Sequence, residues 1–375
     1  MKILELTNYS AGGCGVFERA KQESLLLSEK GYEVQIFSSN FTKGSKEIAP
    51  EFDKIGGVII RRFSGKKLGG ESYLKWNFEE AALEYKPDII IAHGYRHLHT
   101  FKAIKVAKRL NARIYLVTHA PFARSETRKS YENIIVWTYD KFFAPSYLKK
   151  FDKIIAISKW ELPFLKDLKI PEEKIEYIPN GIPDEFFSIK PNKSKTRMSK
   201  LLYFGRVSKI KRIETIIKAL ALIKNKNFTL EIAGPGEEEY VNELKKIIMD
   251  LHLEEKIKFT PAIYDIKNKI DKIDSADICI LASKTEGMSQ SLVEYLSRGK
   301  IVIASNNLGN ADLIENNKNG FLFEVDNEEE LAELINGLSD KDEKELNEIR
   351  KQARVSVEGF AWSKIIKKIE NLVKL

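Results

Sequence analysis

Short runs of β-branched and aliphatic residues alternate along this chain with longer segments whose apolar positions recur every three to four residues. The spacing predicts strands over 2–7, 33–38, 58–63, 88–92, 113–118, 152–157 and 174–178, and a first helix over about 16–30 that stops at Gly31. Strand and helix in such alternation predict a parallel, doubly wound sheet with right-handed crossovers. Ile178-Pro179-Asn180-Gly181-Ile182-Pro183 interrupts the pattern with two prolines around an Asn-Gly turn, and a polar stretch at 190–200 follows. The alternation then restarts, with strands over 201–205, 228–233, 256–260, 277–282 and 300–304, and with Ile213, Ile216, Ile217, Leu220 and Ile223 on one helical face. A last helix covers about 362–375, and its periodicity is compatible with packing on either half.

Length agrees with this division. A chain of 375 residues exceeds one ordinary core, since domains run to about 100–200 residues. We therefore expect an α/β protein of two Rossmann-like domains, residues 1–185 and 186–361. Open sheets of this kind bind ligands at the carboxyl ends of their strands, so two in series predict a central cleft that both domains face.

Composition narrows the class. Apolar residues make up 43% and charged residues 31%, the balance of a globular protein rather than a disordered one. No apolar run approaches the ~18–20 residues that span a bilayer, and the opening Met1-Lys2-Ile3-Leu4-Glu5-Leu6 reads as a strand rather than a signal peptide. Cys14 and Cys279 suit neither a disulfide framework nor a metal site, which points to a reducing cytoplasm. The net charge of +8 is uneven: residues 1–190 carry 31 Lys and Arg against 24 Asp and Glu, the remainder 31 against 30. The basic half fits either a solvated surface or a face drawn to anionic lipid head groups or phosphorylated acceptors. No nucleic-acid motif accompanies the charge, so nucleic acid is not an expected partner.

Four segments offer chemistry. Ala282 to Glu294 follows a strand and enters a helix; Glu286 sits in the loop and Glu294 in the helix, and eight residues of helix would separate them by ~12 Å. Between them the amides of Gly287, Met288 and Ser289 would point off a helix N-terminus, where orphan N–H groups and the helix dipole favour a diphosphate. A carboxylate accepts two hydrogen bonds at once, which suits sugar hydroxyls; the same two glutamates would also suit a solvated loop and a helix surface. Arg206, Lys209, Lys211 and Arg212 place four cations within seven residues of another strand-to-helix loop, suited to clamping a diphosphate or simply to facing water. Gly234 and Gly236 form a tight turn of the kind common in Rossmann-like folds. Gly12-Gly13-Cys14-Gly15 could nest an anion, although it matches neither the dinucleotide fingerprint nor the P-loop. His93, His97, His99 and His119 cluster in the first half without a third ligand at zinc spacing, and no Asp-x-Asp pair stands ready for a divalent ion. No metal or other cofactor is therefore expected.

The loop Gly205-Arg206 to Lys211, the turn Ala233-Gly234-Pro235-Gly236 and the pair Glu286 and Glu294 resemble, in order and spacing, glycosyltransferase family 4, the retaining GT-B enzymes. The likeness extends to the first glycine loop, Thr118-His119, Ile155-Ala156-Ile157-Ser158 and the linker at 178–181. It implies the GT-B fold, with the acceptor on the first domain, the nucleotide-sugar donor on the second, and the helix at 362–375 crossing back to the first. It implies that Arg206 and Lys211 bind the donor diphosphate and stabilise the leaving nucleotide, and that Glu294 holds the ribose hydroxyls. Glu286 would sit by the transferred sugar with the amides of Gly287, Met288 and Ser289 nearby, His119 at the reaction centre, and Gly13 against the diphosphate from the other domain. Arg212 stands where the family usually has glycine, and Lys300-Ile301 replaces a small residue and proline.

The expected reaction is transfer of a hexose-type sugar, from a UDP-sugar before a GDP-sugar, to a hydroxyl of a glycolipid or polysaccharide precursor, either free in the cytoplasm or peripherally at the inner membrane face. A sugar-nucleotide epimerase, a phosphorylase, and a non-catalytic protein binding a sugar nucleotide or anionic lipid are the alternatives.

Overall fold

The aliphatic runs form two parallel sheets in a computed structural model that describes residues 1–69, 73–122, 130–191, 199–223, 228–338 and 341–374. The middle of the polar stretch, 192–198, lies outside the described residues. The chain divides into two compact units, residues 1–180 with 365–375, and residues 181–364.

The first unit is built on β1 (Lys2–Leu6), β2 (Glu33–Ser39), β3 (Phe52–Ile55), β4 (Val58–Phe63), β5 (Gly65–Lys67), β6 (Leu74–Trp76), β7 (Ile89–His93), β8 (Arg113–Val117), β9 (Lys153–Ala156) and β10 (Ile175–Tyr177). Its main sheet runs β10-β9-β8-β7-β1-β2-β4-β3, parallel except where β3 turns back along β4, and β5 pairs with β6 in a separate antiparallel ribbon. Strands β3, β5 and β6 are not predicted from the hydrophobic pattern. β3 is only four residues long, breaks its two apolar residues with Asp53 and Lys54, and is mostly exposed, so only its pairing partner makes it a strand. β7, by contrast, is buried at every position, as a strand covered on both faces must be.

The helix Gly15–Glu29 buries Phe17, Ala20 and Leu27 together with Arg19 and Glu23. The helix Trp362–Lys374 enters the first unit from Ile365 onward. There Tyr115 donates to the Leu372 carbonyl at 3.0 Å and Arg113 to that of Val373 at 2.6 Å, while Lys30 pairs with Glu370 at 2.8 Å.

The second unit carries β11 (Lys200–Phe204), β12 (Thr229–Ala233), β13 (Ile257–Thr260), β14 (Ile278–Leu281), β15 (Ile301–Ser305) and β16 (Phe321–Phe323), in the order β13-β12-β11-β14-β15-β16 and parallel throughout. β16, three residues long, is too short for the pattern to predict. In each sheet the first strand lies between its sequence neighbour and a later strand: β1 between β2 and β7, β11 between β12 and β14. The strand order reverses there, and loops leaving the two strands part to opposite faces of the sheet.

Two local expectations are corrected. The helix after β14 begins at Gln290, because Ser289 caps it by accepting from the Leu292 amide at 3.3 Å. Glu286 is therefore in irregular backbone, and the ~12 Å helical separation from Glu294 does not apply. β8 ends at Val117, and His119 and Ala120 take left-handed backbone, with φ of 59° and 55°, instead of ending a strand. Among the described residues no helix is long and apolar enough to cross a membrane.

Candidate active site

Three loops meet at the carboxyl ends of β11, β12 and β14. The Tyr295 hydroxyl accepts from the Phe204 amide at 2.7 Å and donates to the Phe204 carbonyl at 3.1 Å, tying the helix Gln290–Ser297 to the end of β11. The Lys284 amide donates to the Ile210 carbonyl at 2.9 Å, and the Val207 amide to that of Pro235 at 2.8 Å. Two glycines permit this closeness. Gly234 has φ +142°, and a Cβ there would meet the Gly205 carbonyl oxygen at 2.0 Å; a Cβ on Gly309 would meet that of Glu286 at 2.5 Å.

On this frame Lys211 and Glu286 are brought together, Nζ to Oε1, at 2.5 Å and mostly buried. Arg206 is exposed, and the Tyr203 hydroxyl donates to its carbonyl at 2.7 Å. The four-cation loop is thus not a single positive surface. Lys209 pairs with Glu243 at 2.8 Å, Arg212 with Asp326 at 3.1 Å and Glu214 at 3.4 Å, and Lys211 with Glu286, while Arg206 makes no ion pair among the described residues. Arg212 has φ +49°, the left-handed region in which a glycine costs least.

Glu294 is buried, its Oε1 2.5 Å from Lys269 Nζ. Its Oε2 is also buried and makes no hydrogen bond among the described residues. Burial raises its carboxyl above the usual range against the pull of Lys269. Lys269 also lies over the Phe204 ring, 5.2 Å from its centroid. Gly287 and Met288 are half-buried, and the Ser289 side chain is occupied as the helix cap. The structure therefore groups Lys211, Glu286 and the Gly234 turn, and sets Glu294 with Lys269, a residue sequence reasoning missed because its partner lies 25 positions away.

In the first unit a second set of side chains gathers where β1, β7 and β8 end. His119 Nε2 is 2.8 Å from His93 Nδ1, and His93 Nε2 is 2.6 Å from Glu5 Oε2. Burial pushes His93 down to about 3, holds His119 and His99 well below the usual histidine range, and raises Glu5. Arg19 and Glu23 lie alongside, Nε to Oε2 at 3.3 Å, with Glu23 pushed up to about 7 by burial. Glu161, likewise raised to about 7 by burial, holds the loop of His119: it accepts from Thr118 Oγ1 at 2.5 Å and from the amides of Ala120, Ile157 and Ser158 at 3.0, 2.8 and 3.0 Å. Ser158-x-x-Glu161 is a capping-box pattern, so this residue was open to discovery from sequence. Gly13 is exposed with open space about its α-carbon; its neighbour Gly12 carries the constraint, with φ +80° and the Lys43 carbonyl oxygen 2.2 Å from where a Cβ would stand.

A cavity of about 530 Å³, lined by Lys200, Thr229, Glu231, Lys256 and Lys272 among others, opens at the amino ends of β11, β12 and β13. It lies at the wrong end of the sheet for the loops described above.

Two family models match adjoining stretches: glycosyltransferase family 4 over residues 15–186, and glycosyl transferases group 1 over residues 184–356. An uncharacterised glycosyltransferase of Methanocaldococcus jannaschii is 27% identical, over 92% of this chain and 91% of its own. The alpha-monoglucosyldiacylglycerol synthase of Streptococcus pneumoniae is 25% identical, over 89% of this chain and 77% of its own. Among solved structures, an Anabaena protein in complex with UDP superposes with a TM-score of 0.77 at 21% identity, over the whole of both chains.

Proposed function

This chain belongs to the family 4 glycosyltransferases of the GT-B fold, and on that premise we propose that it moves a hexose-type sugar from a UDP-sugar to an acceptor hydroxyl with retention of anomeric configuration. The observation that carries this reading is the meeting of Lys211 and Glu286 on loops that leave neighbouring strands at the switch point of the second sheet, with Arg206 in the first of those loops. Arg206 and Lys211 neutralise the charge that grows on the departing diphosphate; cations held in place beforehand supply much of the rate enhancement in many transfer reactions. The backbone N–H groups of Gly287 and Met288 assist them. Glu286 accepts from hydroxyls of the transferred sugar and Glu294 from those of the ribose, where its buried Oε2 supplies an acceptor. The resemblance assigns His119 to the sugar and Gly13 to the diphosphate.

The bond from the anomeric carbon to the diphosphate oxygen breaks, and the acceptor oxygen bonds to the same carbon on the same face. The acceptor's proton passes to the leaving phosphate, so no protein base is needed. Nor does the reading require a metal ion, since lysine and arginine carry the positive charge. UDP is favoured over GDP because the Anabaena protein with the same fold binds UDP.

A glycolipid or polysaccharide precursor suits the acceptor. The Streptococcus pneumoniae relative is named for a glucosylated diacylglycerol, and the first half carries the excess of cations. The helix Ser130–Phe142 and the residue after it also leave Ile134, Ile135, Trp137, Phe142 and Phe143 exposed, with Lys141 Nζ 4.7 Å from the Trp137 ring centroid. Aromatic and aliphatic side chains beside lysine suit the interface of an anionic bilayer.

Donor hydrolysis and transfer by the wild type, Arg206→Ala, Lys211→Ala and Glu286→Ala test the site. Losses of about 10²–10³ in kcat are expected for the cations, and unchanged turnover in all three would overturn it.

A further inference from the structure

The first unit buries a connected group of ionisable side chains that the transfer chemistry does not use: Glu5 on β1, Arg19 and Glu23 on the helix Gly15–Glu29, and His93 on β7. Glu5 and His93 stand in a hydrogen-bonded line with His119, from Glu5 Oε2 through both ring nitrogens of His93 to His119 Nε2, at 2.6 and 2.8 Å. The line admits two arrangements with neutral rings, and they leave His119 Nδ1 with opposite polarity. If Glu5 accepts from His93, then His93 accepts from His119, and His119 Nδ1 is an acceptor. If Glu5 donates, each bond reverses and His119 Nδ1 carries the proton.

Charge balance selects between them. Arg19 is always protonated, and a buried cation requires one anion. Glu23 is the carboxyl beside it, Nε to Oε2 at 3.3 Å, while Arg19 Nη1 donates to the Ile178 carbonyl and to Asn180 Oδ1, both at 3.0 Å. With Glu23 as the counter-ion, a second buried charge on Glu5 would have no partner; since neither Glu5 Oε1 nor either Glu23 oxygen makes a hydrogen bond among the described residues, nearness to Arg19 decides which carboxyl keeps its charge.

We infer that Glu5, protonated, and His93 are positioning residues that hold His119 in its Nδ1–H tautomer, so that the ring meets its ligand as a neutral hydrogen-bond donor. Such a donor suits a hydroxyl oxygen of a sugar or an oxygen of a phosphate. The charged and titratable neighbours agree. Burial opposes a positive charge on His119, and His93, Arg19 and His97 oppose it further. Burial raises Glu5 well above the ordinary carboxyl value, while Arg19 pulls it the other way. Glu161 fixes the loop through Thr118 and the Ala120 amide. The donor role rests on the assignment of His119 to the sugar made above; the tautomer does not.

The test uses the full chain labelled with ¹⁵N at its five histidines, read by long-range ¹H–¹⁵N correlation, with His93 and His119 assigned by substitution. Both rings are expected as Nδ1–H tautomers that do not titrate from pH 5.5 to 8.5. Glu5→Gln, whose amide can donate to His93 Nε2, should preserve the pattern. Glu5→Leu should release His119 to a mixture of tautomers and lower kcat for transfer by about tenfold, the worth of one hydrogen bond, with KM little changed. An Nε2–H signature for wild-type His119, its titration near the ordinary histidine value, or an unaltered pattern in folded Glu5→Leu overturns the inference. If Glu5→Leu does not fold, the wild-type and Glu5→Gln spectra decide. Should the tautomers be as stated while His119→Ala transfers sugar at the wild-type rate, it is the placement of His119 at the sugar that fails.

Discussion

Lys211 Nζ and Glu286 Oε1 lie 2.5 Å apart, joining the loop after β11 to the loop after β14. Each group thereby limits what the other can do alone. A diphosphate approaching Lys211 competes with Glu286, and loss of either side chain leaves the other's charge half-buried and unpaired.

The two residues should therefore act as a unit. A cycle of Lys211→Met, Glu286→Gln and the double variant, read as kcat/KM for transfer, is expected to show an interaction energy of about 1–3 kcal/mol. Strict additivity would sink the idea that the pair works together.

Lys269 should matter far more to stability than its place in a lysine-rich chain suggests. Removing it leaves Glu294 buried without a counter-charge, and Lys269→Ala is expected to cost about 3 kcal/mol or more of unfolding free energy. Lys209→Ala removes an exposed pair with Glu243 and should have a far smaller effect. Urea unfolding of the two variants at pH 7 compares them, and equal midpoints would contradict the burial argument.

Stability should peak on a plateau below neutrality. His93, His99 and His119 have folded pKa values below the ordinary 6.5, so the unfolded chain binds their protons first and stability is lost as pH falls through 6.5. Glu5, Glu23 and Glu161 have folded values above 4.5, so their contribution is complete below 4.5 and is lost as pH rises, for Glu23 and Glu161 toward about 7. Between 4.5 and 6.5 the two sets oppose each other. Below 4.5 the histidines act at about 1.4 kcal/mol per pH unit each, and Glu79 and Glu231, whose folded values lie below 4.5, act in the same direction. Urea midpoints from pH 3.5 to 9 should fall steeply on the acid side and gently between 6.5 and 7; a midpoint that keeps rising through pH 8 would count against the raised carboxyls.

The exposed face around Trp137 should bind anionic bilayers. Sedimentation with phosphatidylglycerol vesicles is expected to exceed that with phosphatidylcholine and to weaken as salt rises. Trp137→Ser should reduce partitioning about tenfold or more, since a buried aromatic side chain contributes roughly 2 kcal/mol. Binding indifferent to lipid charge and to this substitution would remove the membrane from the proposal.

Both sheets were legible in the chain because buried parallel strands are continuous aliphatic runs, and a run such as Ile89-Ile90-Ile91-Ala92 needs no knowledge of its neighbours to be read. β3 was not legible, because its four mostly exposed residues, Phe52-Asp53-Lys54-Ile55, become a strand only when β4 is alongside. Arg206, Lys211, Glu286 and Glu294 stood out through type and spacing. Their pairings did not: Lys269 reaches Glu294 across 25 residues, and His93 reaches Glu5 across 88.

By itself, then, the sequence determined the alternation of strand and helix, the two-part division and the loops proposed to hold the chemistry, since these follow from local periodicity and from glycine and proline. Tertiary structure alone decided which charges neutralise one another, which histidines share a proton, and that Arg212 must adopt left-handed backbone. Those depend on groups far apart in the chain meeting in a medium of low dielectric, and no local pattern records that meeting.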